Sequence, residues 1–330
     1  MVKVCIIGKQ QPRYIRDKMK NAIENSGFSA DILDMPTRDV KDYAERLSAY
    51  DAIISAGESI DAAALSELKN LKLISRFGIG TNEIDKEEAT KRGIAVCNAA
   101  GTFSECVAEC AMFLTLALVR QFPFREKELR NGDWSAFYDG KNARQLYGKT
   151  VGLIGFGKIS RTFAKMLKAF GCEVLAYDPY AKDDEFKESG VLKRSLAEIA
   201  RESDVISLHA PLTPETENVV NDGFISEMKT GAILVNTSRG GLVDENAVAA
   251  ALNGGKLAGY GADVFRIEPL PQSSEIMRAK NTILLPHSAS NGIEAVEAAG
   301  MLAAQNAIDF FGGKDVKTVL NPDYKKYAKQ

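Results

Sequence analysis

The stretch KTVGLIGFGKISRTFAKMLKAFGCEVLAYD, residues 149–178, decides how this chain folds. An apolar run ends in Gly155-Phe156-Gly157-Lys158-Ile159-Ser160, a helical pattern follows, and a second apolar run closes on Asp178. Strand, glycine corner, helix and second strand make one βαβ unit built to receive a dinucleotide. Gly155 permits the tight turn, Gly157 lets a pyrophosphate approach the backbone, and the start of the helix supplies oriented N–H groups. Ser160 stands in place of a third glycine, a small substitute that predicts a slightly wider crossing of helix and strand. Asp178 lies 18 residues beyond Ser160, close to the roughly 20 expected of an acid that binds the ribose 2′-hydroxyl. Its carboxylate repels a 2′-phosphate and no arginine follows in DPYAKDDE, which favours NAD over NADP. Methyltransferases that use S-adenosylmethionine show a similar loop and acid, so this unit points to a nucleotide without choosing a reaction.

The same alternation extends in both directions. Downstream come DVISLHA (204–210), GAILVNTS (231–238), GYGADVF (259–265) and NTILLPH (281–287), then an amphipathic helical run over 292–313. Upstream come VKVCIIG (2–8), SADILDM (29–35), DAIISAG (51–57), LKLISRFG (71–78) and IAVCNAA (94–100). Short β-branched runs alternating with helical patterns predict an α/β chain with two doubly wound parallel sheets. Between the sets lies SECVAECAMFLTLALVRQF (104–122), whose twelve-residue core CVAECAMFLTLA is apolar nearly all round, which predicts a helix buried between layers or domains. Two sheets in one chain predict a ligand cleft between them.

The chain's 330 residues suit two domains of ordinary size. Its 45 % hydrophobic and 26 % charged residues, with a net charge of −2, are those of an ordinary globular protein. They give no reason to expect nucleic acid or a membrane as partner, and favour a small molecule or a second copy of the chain. No segment reaches the ~18 apolar residues of a membrane span. The opening MVKVCIIGKQ runs into a strand without a cleavage pattern, so a cytoplasmic location is expected. The five cysteines are odd in number and lack metal-ligand spacing; all are read as reduced, with Cys106 and Cys110 sharing a helix face in core packing, and no metal is expected.

Three strand ends in the second half carry residues of complementary chemistry. Arg239 follows one strand, Asp263 and Glu268 follow the next, and His287, one of only two histidines, follows the last. In a parallel sheet these carboxyl ends open on the ligand crevice, the edge where the glycine loop lies. Reduction of a 2-oxo acid needs a cation for the carboxylate, a proton donor for the carbonyl oxygen, and a group that favours the charged donor. Arg239 offers a planar fork for the carboxylate, His287 can supply the proton, and a nearby Glu268 would favour the imidazolium.

The chain at this point resembles the D-isomer-specific 2-hydroxyacid dehydrogenases, nearest to their phosphoglycerate dehydrogenase and glyoxylate or hydroxypyruvate reductase branches. The likeness runs through RFGIGTNEID (76–85), VCNAAGTFSECVAE (96–109), LYGKTVGLIGFGKIS (146–160), LHAPLTPET (208–216), VNTSRGGLVDE (235–245), ADVFRIEPL (262–270) and LPHSASN (285–291). It implies that Arg239, Glu268 and His287 are catalytic and that Asp263 contacts the nicotinamide amide. His209, Pro211, Thr216, Thr237 and Ser238 would line the NAD, together with the glycine loop. Ile79 and Gly80 would hold the substrate carboxylate by backbone N–H groups, and Arg76 could reach a substrate phosphate.

The resemblance further implies that residues 1–99 and 292–330 form a flavodoxin-like substrate-binding domain, with a Rossmann NAD-binding domain inserted over 100–291. Hinges near 100 and 290 would then close the site and exclude water. The segment VRQFPFREKELRNGDWSAF (119–137) matches the region through which members form homodimers. The implied substrate is a small 2-oxo or 2-hydroxy acid: phosphoglycerate and phosphohydroxypyruvate, or hydroxypyruvate and glyoxylate. Phe103, where many phosphoglycerate dehydrogenases have asparagine, weighs against the phosphorylated pair, and Ala100 stands where proline is frequent. The competing readings are an NAD-sensing binding protein resembling the co-repressors of the family, and phosphite or formate oxidation on the same scaffold.

Overall fold

The computed structural model describes residues 1–8, 11–134 and 143–328. The chain divides into two compact units, Met1–Phe103 with Gly292–Gln330, and Ser104–Asn291.

The first unit holds β1 (Lys3–Ile7), β2 (Ser29–Leu33), β3 (Ala52–Ser55), β4 (Leu73–Arg76) and β5 (Ala95–Cys97), in spatial order β2-β1-β3-β4-β5 and parallel throughout. The central strands are buried on both faces, as a sheet covered by helices on each side requires. Cys5, Ile7, Ile53 and Ile74 pack on Leu47, Leu65 and Ile84. The opposite face lies under the helices Arg13–Asn25 and Ile293–Phe311. Chain order reverses between β1 and β3; the loop leaving β3 flanks that switch point and the loop leaving β4 lies one strand further on.

The second unit holds β6 (Thr150–Ile154), β7 (Glu173–Tyr177), β8 (Leu192–Lys193), β9 (Val205–Leu208), β10 (Ala232–Asn236), β11 (Leu257–Ala262) and β12 (Thr282–Leu284). They run parallel in the order β12-β11-β10-β9-β6-β7-β8, so here the reversal falls between β6 and β9. The two doubly wound parallel sheets expected from the alternation are both present. β8 is an addition: its two residues sit exposed at the sheet edge, too short and too polar to mark a strand in sequence.

The helix Ser104–Arg120 buries Ala111, Leu114 and Leu118 against the β10 and β11 side of the second sheet. It is not enclosed all round, as its composition suggests, because Phe113 turns away from the sheet and is 53 % exposed. The next helix, Phe122–Arg130, adds exposed Phe122, Phe124 and Leu129, and Trp134 follows. The last three residues of the 119–137 segment lie outside the described residues. Among the described residues no single helix is long and apolar enough to cross a membrane. All five cysteines are free, and burial pushes the Cys5, Cys97 and Cys110 thiols up to about 12.

Candidate active site

The loop after β6 is set by Gly155, which adopts φ +93° and donates its N–H to Tyr177 O at 2.8 Å. A Cβ there would lie 2.6 Å from Ala210 N and 2.7 Å from the carbonyl carbon of His209, so only glycine lets this corner meet the end of β9. The Phe156 ring does not face outward: it is buried and stacked on Phe186 with centroids 4.5 Å apart. Gly157 caps the helix Lys158–Ala169 without a side-chain cap bond, and a Cβ added to it would meet nothing within 4 Å. A helix start without a side-chain cap, beside a glycine with open space at its Cβ position and at a switch point, is what a pyrophosphate needs, so these residues fit a dinucleotide. Lys158 is exposed, Ile159 partly buried, and Ser160 fully buried with no partner for its hydroxyl.

Asp178 knots the corner to the exit of β7. Its Oδ2 accepts from Phe156 N–H at 2.8 Å, and Oδ1 from the N–H groups of Tyr180 at 2.8 Å and Ala181 at 3.2 Å. Across the switch point, His209 packs on Phe163, and its Nε2 lies 3.0 Å from Ser207 Oγ. Burial pushes its pKa down to about 4, which leaves the ring neutral at working pH. Ser207 was not singled out in the sequence, although its place two residues before His209 on a strand puts both on one face. Thr216 closes the loop by donating to Pro211 O at 2.7 Å, Ser238 Oγ donates to Ala210 O at 2.6 Å, and Thr237 is buried with an unpartnered hydroxyl.

The ends of β10, β11 and β12 carry the remaining candidates. Arg239 is partly buried and donates Nη1 to Ser238 O at 2.7 Å. A Cβ on the following Gly240 would fall 1.9 Å from the carbonyl carbon of Phe265, so that glycine presses the Arg239 loop onto the loop that carries Glu268. Glu268 precedes a cis proline; its Oε1 accepts from Phe265 N–H at 2.9 Å, and its Oε2 stands 2.6 Å from His287 Nδ1. His287 adopts φ +54°. The turn is held from beneath by Asp263, 1 % exposed, which accepts from Ser288 N–H at 2.7 Å and Ala289 N–H at 2.8 Å. Burial raises the Asp263 pKa, against the pull of those two bonds. The structure thus joins Glu268 directly to His287 and holds the His287 turn on one buried acid. Arg239 makes no hydrogen bond to Glu268 or His287 among the described residues. Among those residues no group of three or more His, Cys, Asp or Glu is set to hold a metal.

In the first unit Arg76 ends β4, and Ile79 and Gly80 lie in the loop beyond it. Among the described residues the N–H groups of Gly78, Ile79 and Gly80 have no protein acceptor, while the carbonyls of Phe77, Gly78, Ile79 and Gly80 each accept a hydrogen bond. A row of successive open N–H groups is an anion-binding concavity.

Residues 112–289 match the family described as D-isomer specific 2-hydroxyacid dehydrogenase, NAD binding domain. The chain is 36 % identical over 285 residues to a glyoxylate reductase from Korarchaeum cryptofilum, covering 86 % of each chain. It is 37 % identical over 272 residues to a D-3-phosphoglycerate dehydrogenase from Methanocaldococcus jannaschii, covering 82 % of this chain and 51 % of that one, so it spans about half of that relative's length. The crystal structure of D-lactate dehydrogenase from Aquifex aeolicus, complexed with NAD and lactic acid, matches with a TM-score of 0.85 and 29 % identity, covering 96 % of this chain and 99 % of that one.

Proposed function

The chain belongs to the D-isomer-specific 2-hydroxyacid dehydrogenase family, NAD-dependent oxidoreductases acting on a CH–OH carbon, and on that premise we propose that it reduces a small 2-oxo acid to the 2-hydroxy acid. The substrate is hydroxypyruvate or glyoxylate, or the phosphorylated counterpart of the first. Residues 1–99 and 292–330 serve the substrate and residues 100–291 serve NAD.

The observation that carries this reading is the 2.6 Å contact between Glu268 and His287. It engages Nδ1, which fixes the ring's orientation, and leaves Nε2 to give a proton to the substrate's carbonyl oxygen. Bound NADH supplies the hydride to the carbonyl carbon. Arg239, with its planar fork, and the N–H row of Gly78, Ile79 and Gly80 are both suited to an α-carboxylate. The chain works as a homodimer in this reading, since Phe113, Phe122, Phe124 and Trp134 leave an apolar surface that a second copy would cover.

The test is NADH oxidation by the purified chain, followed by absorbance against glyoxylate, hydroxypyruvate, phosphohydroxypyruvate, pyruvate, 2-oxoglutarate and branched 2-oxo acids. Turnover of at least one short 2-oxo acid is expected. Silence across the panel would remove the reading.

A further inference from the structure

Arg76 stands at the end of β4 with a charge that suits a substrate phosphate, yet its guanidinium donates to backbone carbonyls. Its Nη1 donates to Phe77 O at 2.6 Å and to Ser55 O at 3.4 Å, and its Nε donates to Gly80 O at 3.0 Å. Asn98, 5 % exposed, donates Nδ2 to Ile79 O at 2.9 Å, and Ala99 N–H donates to Gly78 O at 2.8 Å. Four consecutive carbonyls, from Phe77 to Gly80, are therefore each held by a donor.

The consequence follows from peptide geometry. In a trans peptide the C=O of one residue and the N–H of the next point in opposite directions. Holding the carbonyls of Phe77, Gly78 and Ile79 therefore turns the N–H groups of Gly78, Ile79 and Gly80 the other way, into the row described above. Asn98 is itself fixed: its Oδ1 accepts from Ala100 N–H at 3.2 Å, and its carbonyl accepts from Asn306 Nδ2 on the helix Ile293–Phe311 at 3.2 Å. Nearby, in the loop after β3, Glu58 is 4 % exposed and accepts from Ala56 N–H at 2.6 Å.

We propose that Arg76 and Asn98 are positioning residues that grip the 77–80 loop by its carbonyl oxygens and aim its N–H groups at the substrate carboxylate, and that the substrate carries no phosphate. This rests on the proposed reduction of a 2-oxo acid and narrows it. The guanidinium is committed to Phe77 and Gly80, and a carboxylate at Glu58, on the same sheet edge, repels a dianion.

Arg76→Lys and Asn98→Asp test it. Lysine keeps the charge but cannot place two separated nitrogens on Phe77 O and Gly80 O; aspartate keeps the shape but has no N–H for Ile79 O. In both variants KM is expected to rise about tenfold or more for hydroxypyruvate, glyoxylate and phosphohydroxypyruvate alike, with kcat within about twofold. NADH affinity should hold, which also reports that the variant is folded. Amide hydrogen exchange at Phe77 and Ala99, whose N–H groups bond Ser55 O and Gly78 O, should quicken about tenfold. The unaltered chain should prefer hydroxypyruvate to phosphohydroxypyruvate.

A loss in Arg76→Lys confined to phosphohydroxypyruvate would assign Arg76 to phosphate and overturn the proposal, as would unchanged KM and exchange in both variants. If the unaltered chain reduces no 2-oxo acid, the functional reading falls by itself, and hydrogen exchange still decides whether the two side chains hold the loop. Should Asn98→Asp not fold, Asn98→Ser, too short to reach Ile79 O, carries the same expectation.

Discussion

The chain's two histidines stand just beyond strand ends of one sheet, and their surroundings are opposites. His209 follows β9, packed on Phe163, with Ser207 as its hydrogen-bond partner and a pKa pushed down to about 4 by burial. His287 follows β12, 52 % exposed at the side chain, with the Glu268 carboxylate 2.6 Å away. The first ring's partner is a hydroxyl, whereas the second's is a carboxylate. The lesson is that position on the sheet's carboxyl edge does not make a histidine an acid; the partner and the access to solvent do.

The contrast breaks most visibly at His287. Replacing it with alanine should lower kcat by about 10²–10⁴, the range of a lost general acid, while the NADH dissociation constant moves less than about twofold. Near-normal turnover would mean that the proton comes from elsewhere and that the two rings differ only in setting.

His209 should reveal itself in stability. Its native pKa of about 4 lies below the ordinary 6.5, so between those values the unfolded chain binds a proton that the native chain refuses. Its contribution is therefore fully present above pH 6.5 and is lost as pH falls toward 4, amounting to about 3 kcal/mol at about 1.4 kcal/mol per pH unit. Denaturant titrations of the unaltered chain and His209→Gln across that window should show the decline flattened in the variant. Parallel curves would mean that His209 titrates alike in both states.

Much of this is legible in the sequence. Alternating apolar runs mark the two parallel sheets, and Gly155 and Asp178 mark the corner between β6 and the following helix, because tight turns and buried strands constrain residue type strongly. Other features are not, for physical reasons that differ by residue. β8 has only Leu192 and Lys193 and leaves no pattern. The left-handed φ at His287 is not signalled by composition, although the pairing of that histidine with Glu268 was expected and is present. The charge of Arg76 was visible and its direction was not: the same guanidinium can reach outward to a ligand or, as here, back to Phe77 and Gly80.

The two carboxylates sharpen the comparison further. Glu268 binds one backbone N–H and one imidazole, whereas Asp178 binds three backbone N–H groups, from Phe156, Tyr180 and Ala181. Asp178 is thus both a charge facing the nucleotide's ribose, in the proposed reading, and the fastening that holds the glycine corner to β7. Asp178→Ala removes both at once. The preference for NADH over NADPH should narrow about tenfold as the repulsion of a 2′-phosphate is lost, and NADH itself should weaken, because three released N–H groups loosen the loop that both cofactors need. Dissociation constants for each cofactor, read by fluorescence titration, separate the two roles. If NADPH tightens while NADH holds, Asp178 acts through charge alone, and its three backbone bonds are dispensable to the corner.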